Sequence, residues 1–167
     1  MKKLFSMMLG LVCAAGLVFA VSGCDKDKDK DKDNENEDAI TNTLTIRGAT
    51  LNVRIALYQL YEDQEGGYYN FDVDAGSPDN GLHGYGGFDA DWVGKTTDLK
   101  GPFFLSFNPQ DGGNSIDPVI KSGTVKITEV EGGLHVLVDA VEENGEKFKM
   151  DVLAEDETKI NWEERER

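Results

Sequence analysis

Residues 122–154 read SGTVKITEVEGGLHVLVDAVEENGEKFKMDVLA, and this stretch decides the fold. Apolar and polar residues alternate on either side of two breaks, Glu131-Gly132-Gly133 and Glu143-Asn144-Gly145. A period of two places successive side chains on opposite faces of a β-strand. The stretch therefore predicts three half-buried antiparallel strands joined by two hairpins. Asn144-Gly145 favours a type I′ turn, because Asn and Gly tolerate the positive φ that this turn requires.

The same alternation extends toward the N-terminus. Leu51 to Leu57 and Tyr69 to Val73 alternate with polar residues, and Glu65-Gly66-Gly67 lies between them as a further hairpin signal. We expect an all-β fold, an antiparallel meander that forms a β-sandwich or a small up-and-down, lipocalin-like barrel. The predicted strands lie near 43–47, 50–61, 67–74, 88–93, 102–107, 122–130, 134–142 and 146–154, with a short one near 159–162. Residues 75–87 and 108–122 are predicted as long loops.

Composition limits the domain count and the class of partner. The segment from Ala39 onward has about 130 residues, enough for one hydrophobic core without a disulfide or metal. The net charge of the 167-residue chain is −15, with the basic residues scattered among more carboxylates. A nucleic-acid binder needs a clustered Lys/Arg surface to displace counterions, so we expect no nucleic-acid partner.

The N-terminus resembles a bacterial lipoprotein signal. Lys2 and Lys3 precede the apolar run Leu4 to Ala20, which ends in the lipobox-like Val21-Ser22-Gly23-Cys24. This resemblance implies cleavage before Cys24 and a diacylglycerol on its sulfur, which would be a stable membrane anchor together with further acylation. The predicted organisation is a signal peptide at 1–23, a lipidated cysteine and linker at 24–38, and one β domain at 39–167. An uncleaved membrane helix, or an ordinary signal peptide, is the alternative.

The segment 25–38 contains Asp, Lys, Glu and Asn only, and this polyampholyte composition predicts a disordered tether. An acidic stretch directly after the lipidated cysteine resembles the surface-export signals of Bacteroidetes-type lipoproteins. The resemblance implies a lipid-anchored location in the outer membrane, exposed at the cell surface. The periplasmic face is the alternative, and Asp25 after Cys24 would favour inner-membrane retention under enterobacterial sorting.

Two parts of the domain also resemble small Bacteroidetes lipoproteins. Residues 122–128, Ser-Gly-Thr-Val-Lys-Ile-Thr, followed by two hairpin-linked strands, are similar to their C-terminal half. The Tyr-rich segment 56–73 is similar to their earlier hairpin. This resemblance implies a lipid-anchored β domain and supplies no catalytic residues.

Acidic residues are concentrated around the first predicted loop. Hard oxygen ligands suit Ca²⁺, although their spacing fits no EF-hand loop. Solvent-facing strand positions and turn caps explain the same residues, so a calcium site remains one of two interpretations. The candidate ligands are Asp72, Asp74, Asp79, Asn80, Asp89 and Asp91.

The aromatic residues near the glycine-rich segment 84–87 are the best candidates for ligand contact. Tyr85 and Trp92 could stack on a carbohydrate or peptide, with His83 beside them, whereas the other aromatic residues are expected in the core. No nucleophile and base occur in a recognisable motif, so we expect neither an enzyme nor a cofactor.

We therefore expect a membrane-anchored, non-enzymatic binding module at the bacterial cell envelope, with a glycan, peptide or protein ligand. The alternative is a small β-barrel that carries an apolar ligand. A carrier requires surplus inward-facing apolar residues around a cavity, whereas a surface binder requires a filled core and exposed aromatic side chains.

Overall fold

The computed structural model describes residues 39–62 and 66–161, all of which belong to one compact unit, Glu37–Arg167. The predicted signal peptide, Cys24 and linker lie outside the described residues, as does Trp162. Within the described ranges there is no helix with the length and apolar character needed to cross a membrane.

The described chain folds into β-strands, which confirms the predicted all-β class. Two single-turn 3₁₀ helices follow β4 and β9: η1 (Ala90–Trp92) and η2 (Glu157–Lys159). The strands are β1 (Thr43–Ile46), β2 (Ala49–Tyr61), β3 (Tyr68–Ala75), β4 (Leu82–Asp89), β5 (Thr96–Pro102), β6 (Leu105–Pro109), β7 (Val119–Val130), β8 (Gly133–Glu142) and β9 (Lys147–Asp156).

These strands form one sheet in the order β5-β7-β8-β9-β1-β2-β3-β4-β6. Neighbours are antiparallel, except that β2 and β9 also pair in parallel at Leu57 and Glu155 and at Tyr58 and Asp156. The sheet is not closed, an arrangement consistent with a β-sandwich or an open barrel. Only Phe103 and Phe104 separate edge strands β5 and β6 in sequence, so the sheet must fold back until its edges approach each other.

The connectivity is that of a meander from β1 to β4 and from β7 to β9. It departs from a meander where β9 pairs with β1, β4 with β6, and β5 with β7. These three pairings join strands that are not consecutive in the chain. Alternation along the sequence carries no information about them, because it reports only which face of a strand is buried.

All three predicted hairpins are present, but one turn differs from its predicted type. The φ angle of Gly145 is 87°, whereas that of Asn144 is not positive. The Gly145 N–H donates to the Glu142 carbonyl at 2.9 Å. This is a longer loop with a glycine bulge rather than the predicted type I′ turn. A two-residue turn with both φ angles positive occurs instead at Arg47 (49°) and Gly48 (75°).

The region 75–96 differs most from the prediction. Most of β4 lies inside the predicted loop 75–87. The predicted strand 88–93 holds only the last two residues of β4, which η1 follows, and β5 was not predicted. Alternation did not reveal β4, because its inward position 84 is a glycine. A Cβ at Gly84 would overlap Val73 and Phe107. The core leaves no room for the apolar side chain that alternation would need there. The predicted strand near 159–162 is wrong for its described part, where η2 ends at Lys159.

Aromatic rings fill the space inside the folded sheet. Phe148 of β9 contacts Phe103 with ring centroids 4.5 Å apart and Phe107 of β6 at 6.0 Å. Each such burial stabilises the fold by about 1.5–3 kcal/mol. The largest fully buried side chains are Phe71, Phe107, Phe148, Leu44, Leu105, Ile120, Ile127, Leu134, Met150, Val73, Val125 and Val136.

Candidate functional site

The outward-facing side chains of β2, β3 and β4 form a surface that we call the tyrosine face. Strand register places Tyr61 opposite Tyr68, Asp72 opposite Tyr85, and Asp74 opposite His83. Their sequence neighbours Tyr69, Phe71 and Val73 are buried, so alternation turns this set away from the core. The tyrosine face consists of Tyr61, Tyr68, Asp72, Asp74, His83 and Tyr85.

Three tyrosine rings on this face are open to solvent. Tyr61, Tyr68 and Tyr85 are 49%, 38% and 46% exposed. The Tyr61 hydroxyl donates to Gln59 Oε1 at 2.7 Å, which restrains that ring. Tyr68 lies over Gly87 of the neighbouring strand, where any Cβ would collide with the tyrosine. Glycine therefore lets the Tyr68 ring cover the backbone beside Tyr85.

A histidine and two carboxylates adjoin these rings. His83 Nδ1 lies 2.9 Å from Asp74 Oδ1, and His83 Nε2 lies 3.7 Å from Asp72 Oδ1. Arg54 Nη2 approaches the second Asp74 oxygen at 3.9 Å. The His83 and Tyr85 rings are nearly parallel, with centroids 6.2 Å apart. Both rings and the Asp72 carboxylate remain accessible, so polar groups with fixed directions surround an exposed aromatic surface.

A small depression of about 230 Å³ lies beside this cluster. Leu57 forms part of it and is buried, yet it does not belong to the main core cluster. The depression therefore combines apolar and polar lining residues, as binding sites for small ligands commonly do. Its lining residues are Ile55, Leu57, Asp72, Val73, Asp74, His83 and Glu157.

The structure brings together two of the three residues predicted for ligand stacking. Tyr85 and His83 are neighbours on the tyrosine face, whereas Trp92 of η1 packs against the core. The Trp92 ring centroid lies 6.2 Å from Phe88 and 5.8 Å from Phe104. Trp92 therefore contributes mainly to packing.

The predicted calcium ligands occupy several separate positions. Asp72 and Asp74 pair with His83, Asp79 and Asn80 lie in an exposed turn, and Asp89 is opposite Tyr68. The remaining candidate, Asp91 of η1, forms an ion pair with Lys95 at 3.2 Å. Across residues 39–62 and 66–161, no group of three or more His, Cys, Asp or Glu side chains is arranged to hold a metal ion.

Sequence reasoning missed Tyr61 and Tyr68, which it assigned to the core with most other aromatic residues. The signal that could have identified them is their position in the alternation of each strand. Both tyrosines alternate with residues of the opposite face, namely Leu60 on β2 and Tyr69 on β3. Strand alternation alone does not say which phase faces water, because both phases here contain large apolar side chains.

The other histidine has a partner elsewhere in the sheet. His135 Nε2 lies 2.8 Å from Asp151 Oδ1, and the other carboxylate oxygen accepts the Thr41 hydroxyl at 2.7 Å and its N–H at 3.1 Å. Partial burial acts to raise the pKa of Asp151, but the hydrogen bonds from Thr41 and His135 outweigh it, so the pKa is lowered. This cluster fastens the start of β1 to β9.

No protein-family model, curated protein or solved structure matches this chain.

Proposed function

We propose that this chain is an exported bacterial lipoprotein and that its β domain is a non-enzymatic glycan-binding module that uses the tyrosine face. One observation carries the proposal: three exposed tyrosine rings share a sheet face with the His83 cluster. Monomeric proteins seldom expose grouped aromatic side chains without a binding role.

The chemistry of the face suits a sugar. A pyranose ring presents C–H groups on its faces, which pack on an aromatic ring, and hydroxyls at its edge, which need directed hydrogen-bond partners. Tyr85 supplies a ring, and Asp72 supplies carboxylate oxygens close by on the opposing strand. Because the Asp74 carboxylate already contacts His83 and Arg54, its orientation is held before a ligand arrives.

The packed interior favours this surface binder over the apolar-ligand carrier. Phe103, Phe107 and Phe148 occupy the space that a carrier would keep for its ligand. The outer face, in contrast, leaves rings and carboxylates available. This is the pattern expected of a binder with a filled core.

For the location, we propose anchoring through lipid on Cys24 in the outer membrane, with the domain at the cell surface. The support is the lipobox-like sequence and the charged segment that follows it.

The binding proposal is tested by isothermal titration of the purified chain against a panel of soluble polysaccharides and their oligosaccharides. Tyr85→Ala should weaken binding to any positive glycan by about tenfold or more, the loss typical of a central aromatic contact. Leu137→Ala is the matched control, because Leu137 is similarly exposed on β8, away from this face. Equal affinities for wild type and Tyr85→Ala, with both folded by circular dichroism, would contradict the proposed site.

The location is tested separately by protease treatment of intact cells. We expect the wild-type domain to be digested while periplasmic markers survive, and we expect Cys24→Ala to leave the membrane fraction. Protection of the wild-type domain would place it in the periplasm, on either the outer or the inner membrane, and would contradict surface exposure.

A further inference from the structure

A second concave site lies at the end of the domain where the β7–β8 hairpin meets η2. This hairpin cleft has a volume of about 810 Å³, within the range of small-molecule sites. Tyr58 of β2 and Tyr69 of β3 line it, together with apolar side chains from the hairpin and the residues after η2. The apolar lining residues are Val130, Leu134 and Ile160.

The hairpin cleft is distinct from the tyrosine face. Tyr58 and Tyr69 occupy inward-facing positions of their strands, whereas Tyr61 and Tyr68 occupy outward-facing positions. The two inward rings contact each other edge to face at 5.5 Å, and Tyr69 also stacks on Phe88 at 5.3 Å. Packing therefore fixes both rings before any ligand binds.

Negative charge dominates the cleft. Glu129, Glu155 and Asp156 line it, and Lys159 is the one basic lining residue among residues 39–62 and 66–161. Lys159 Nζ pairs with Asp156 at 2.9 Å, and its side chain is 78% exposed. No ion pair joins Glu129 to another residue in the described part of the chain. The Glu129 side chain is exposed, so among the described residues nothing keeps its carboxylate from a ligand.

Burial and the neighbouring carboxylates both raise the pKa values of the two cleft tyrosines. Burial raises the pKa of Tyr58, and the charge of Asp156 raises it further. Burial also raises the pKa of Tyr69, with added contributions from Glu129 and Asp156. The carboxylates are thus close enough to act on the two rings, and the phenols stay neutral at physiological pH.

We propose that the hairpin cleft binds an organic cation, namely an ammonium or guanidinium group that carries an apolar arm. The charged group would lie beside Glu129 and the tyrosine rings, gaining ion-pair and cation–π attraction. The arm would pack on Val130 and Ile160, the apolar lining residues that remain partly exposed. An anion would meet repelling carboxylates, and an uncharged molecule would forgo the electrostatic attraction.

The first test compares three probes that share a hexyl arm and differ in charge: hexylamine, 1-hexanol and heptanoate. Each is titrated into the isotopically labelled mature chain while backbone amide shifts are followed by NMR. We expect hexylamine to give saturable shifts at Gly132, Gly133 and Leu134, with an affinity at least about tenfold above that of hexanol. Equal affinities for amine and alcohol, or no saturable shifts with hexylamine, would overturn the proposal.

The second test separates a defined site from general attraction to an acidic protein. Glu129→Gln should weaken hexylamine binding by about tenfold, the loss expected for a charged hydrogen-bond partner. Glu131→Gln changes the net charge equally and lies in the same hairpin, but Glu131 does not line the cleft. It should leave the affinity unchanged. Equal weakening by both substitutions would show attraction to net charge only and would refute the site.

Discussion

Replacing Glu142 with glutamine should stabilise the domain at neutral pH. Glu142 lies at the end of β8 and is only 6% exposed. Its Oε1 atom finds no hydrogen-bond partner among the described residues. Burial raises the pKa of Glu142, and Glu146 adds to the increase, while Arg47 acts against it. The folded state therefore holds a carboxylate in an environment that disfavours its charge.

The expected gain follows from the cost of that burial. A buried polar atom without a partner costs about 1–3 kcal/mol, and more when it is charged. Glutamine removes the charge but keeps an amide, so Glu142→Gln should recover about 1 kcal/mol at pH 7. Glu142→Met also removes the polar atoms, and it should recover about 2 kcal/mol.

The gain should depend on pH with a defined sign. Because the folded-state pKa of Glu142 exceeds its unfolded value, the folded protein binds this proton more tightly. The wild type therefore loses stability relative to Glu142→Gln as pH rises from the unfolded value through the folded value. Below both values the carboxyl is protonated in both states, so the charge-dependent part of the difference vanishes.

Urea unfolding monitored by tryptophan fluorescence, repeated at several pH values, measures this difference. Glu143→Gln is the matched control, because Glu143 is exposed in the adjacent turn and should change stability little. A destabilised Glu142→Gln at pH 7, or a stability difference that does not grow with pH, would refute the reasoning.

Three further outcomes are expected. Asn42→Ala should cost about 1–3 kcal/mol in urea unfolding, because Asn42 Oδ1 accepts the Leu153 N–H and its φ of 50° is strained for alanine; unchanged stability would contradict this. Asp151→Asn should destabilise the protein at neutral pH, because the lowered pKa of Asp151 gives the wild type stability that is fully present above the ordinary aspartate pKa. The wild type loses this stability as pH falls through the pKa of the folded state. Plots of unfolding free energy against pH for the two proteins should therefore converge in acid. Gly87→Ala should lower both the thermal midpoint and the glycan affinity, since the methyl group would collide with Tyr68 and the Tyr69 carbonyl; retention of both would show that the Tyr68 ring need not lie there.

Part of the fold was accessible from local pattern alone. Residues 125–127 and 148–152 alternate apolar and polar side chains, and the structure buries the predicted apolar set of each. The glycine-containing breaks located three hairpins because a reversal between adjacent strands needs only a few residues. The predicted type of the 143–145 turn was wrong. The φ angle of Asn144 depends on the length of the loop, which is set by the register between β8 and β9.

Only part of the candidate site could be predicted from the sequence. Tyr85 and His83 were identified from their place beside a glycine-rich segment, but the same reasoning grouped Trp92 with them. Trp92 is three residues beyond Asp89, where β4 ends, and η1 turns it toward Phe88 and Phe104. Sequence proximity did not establish which residues share a surface.

The sequence by itself determined which segments form hairpins and which side chains most strands bury, because alternation and turn chemistry act over a few neighbouring residues. Tertiary structure alone decided the pairing of β2 with β9, the exposure of Tyr61 and Tyr68, and the burial of Glu142. It also assembled the hairpin cleft, which brings Tyr58 together with Asp156 across most of the domain sequence. The physical reason is that these features depend on how a nine-stranded sheet folds over its aromatic core, and that is settled by packing between distant segments.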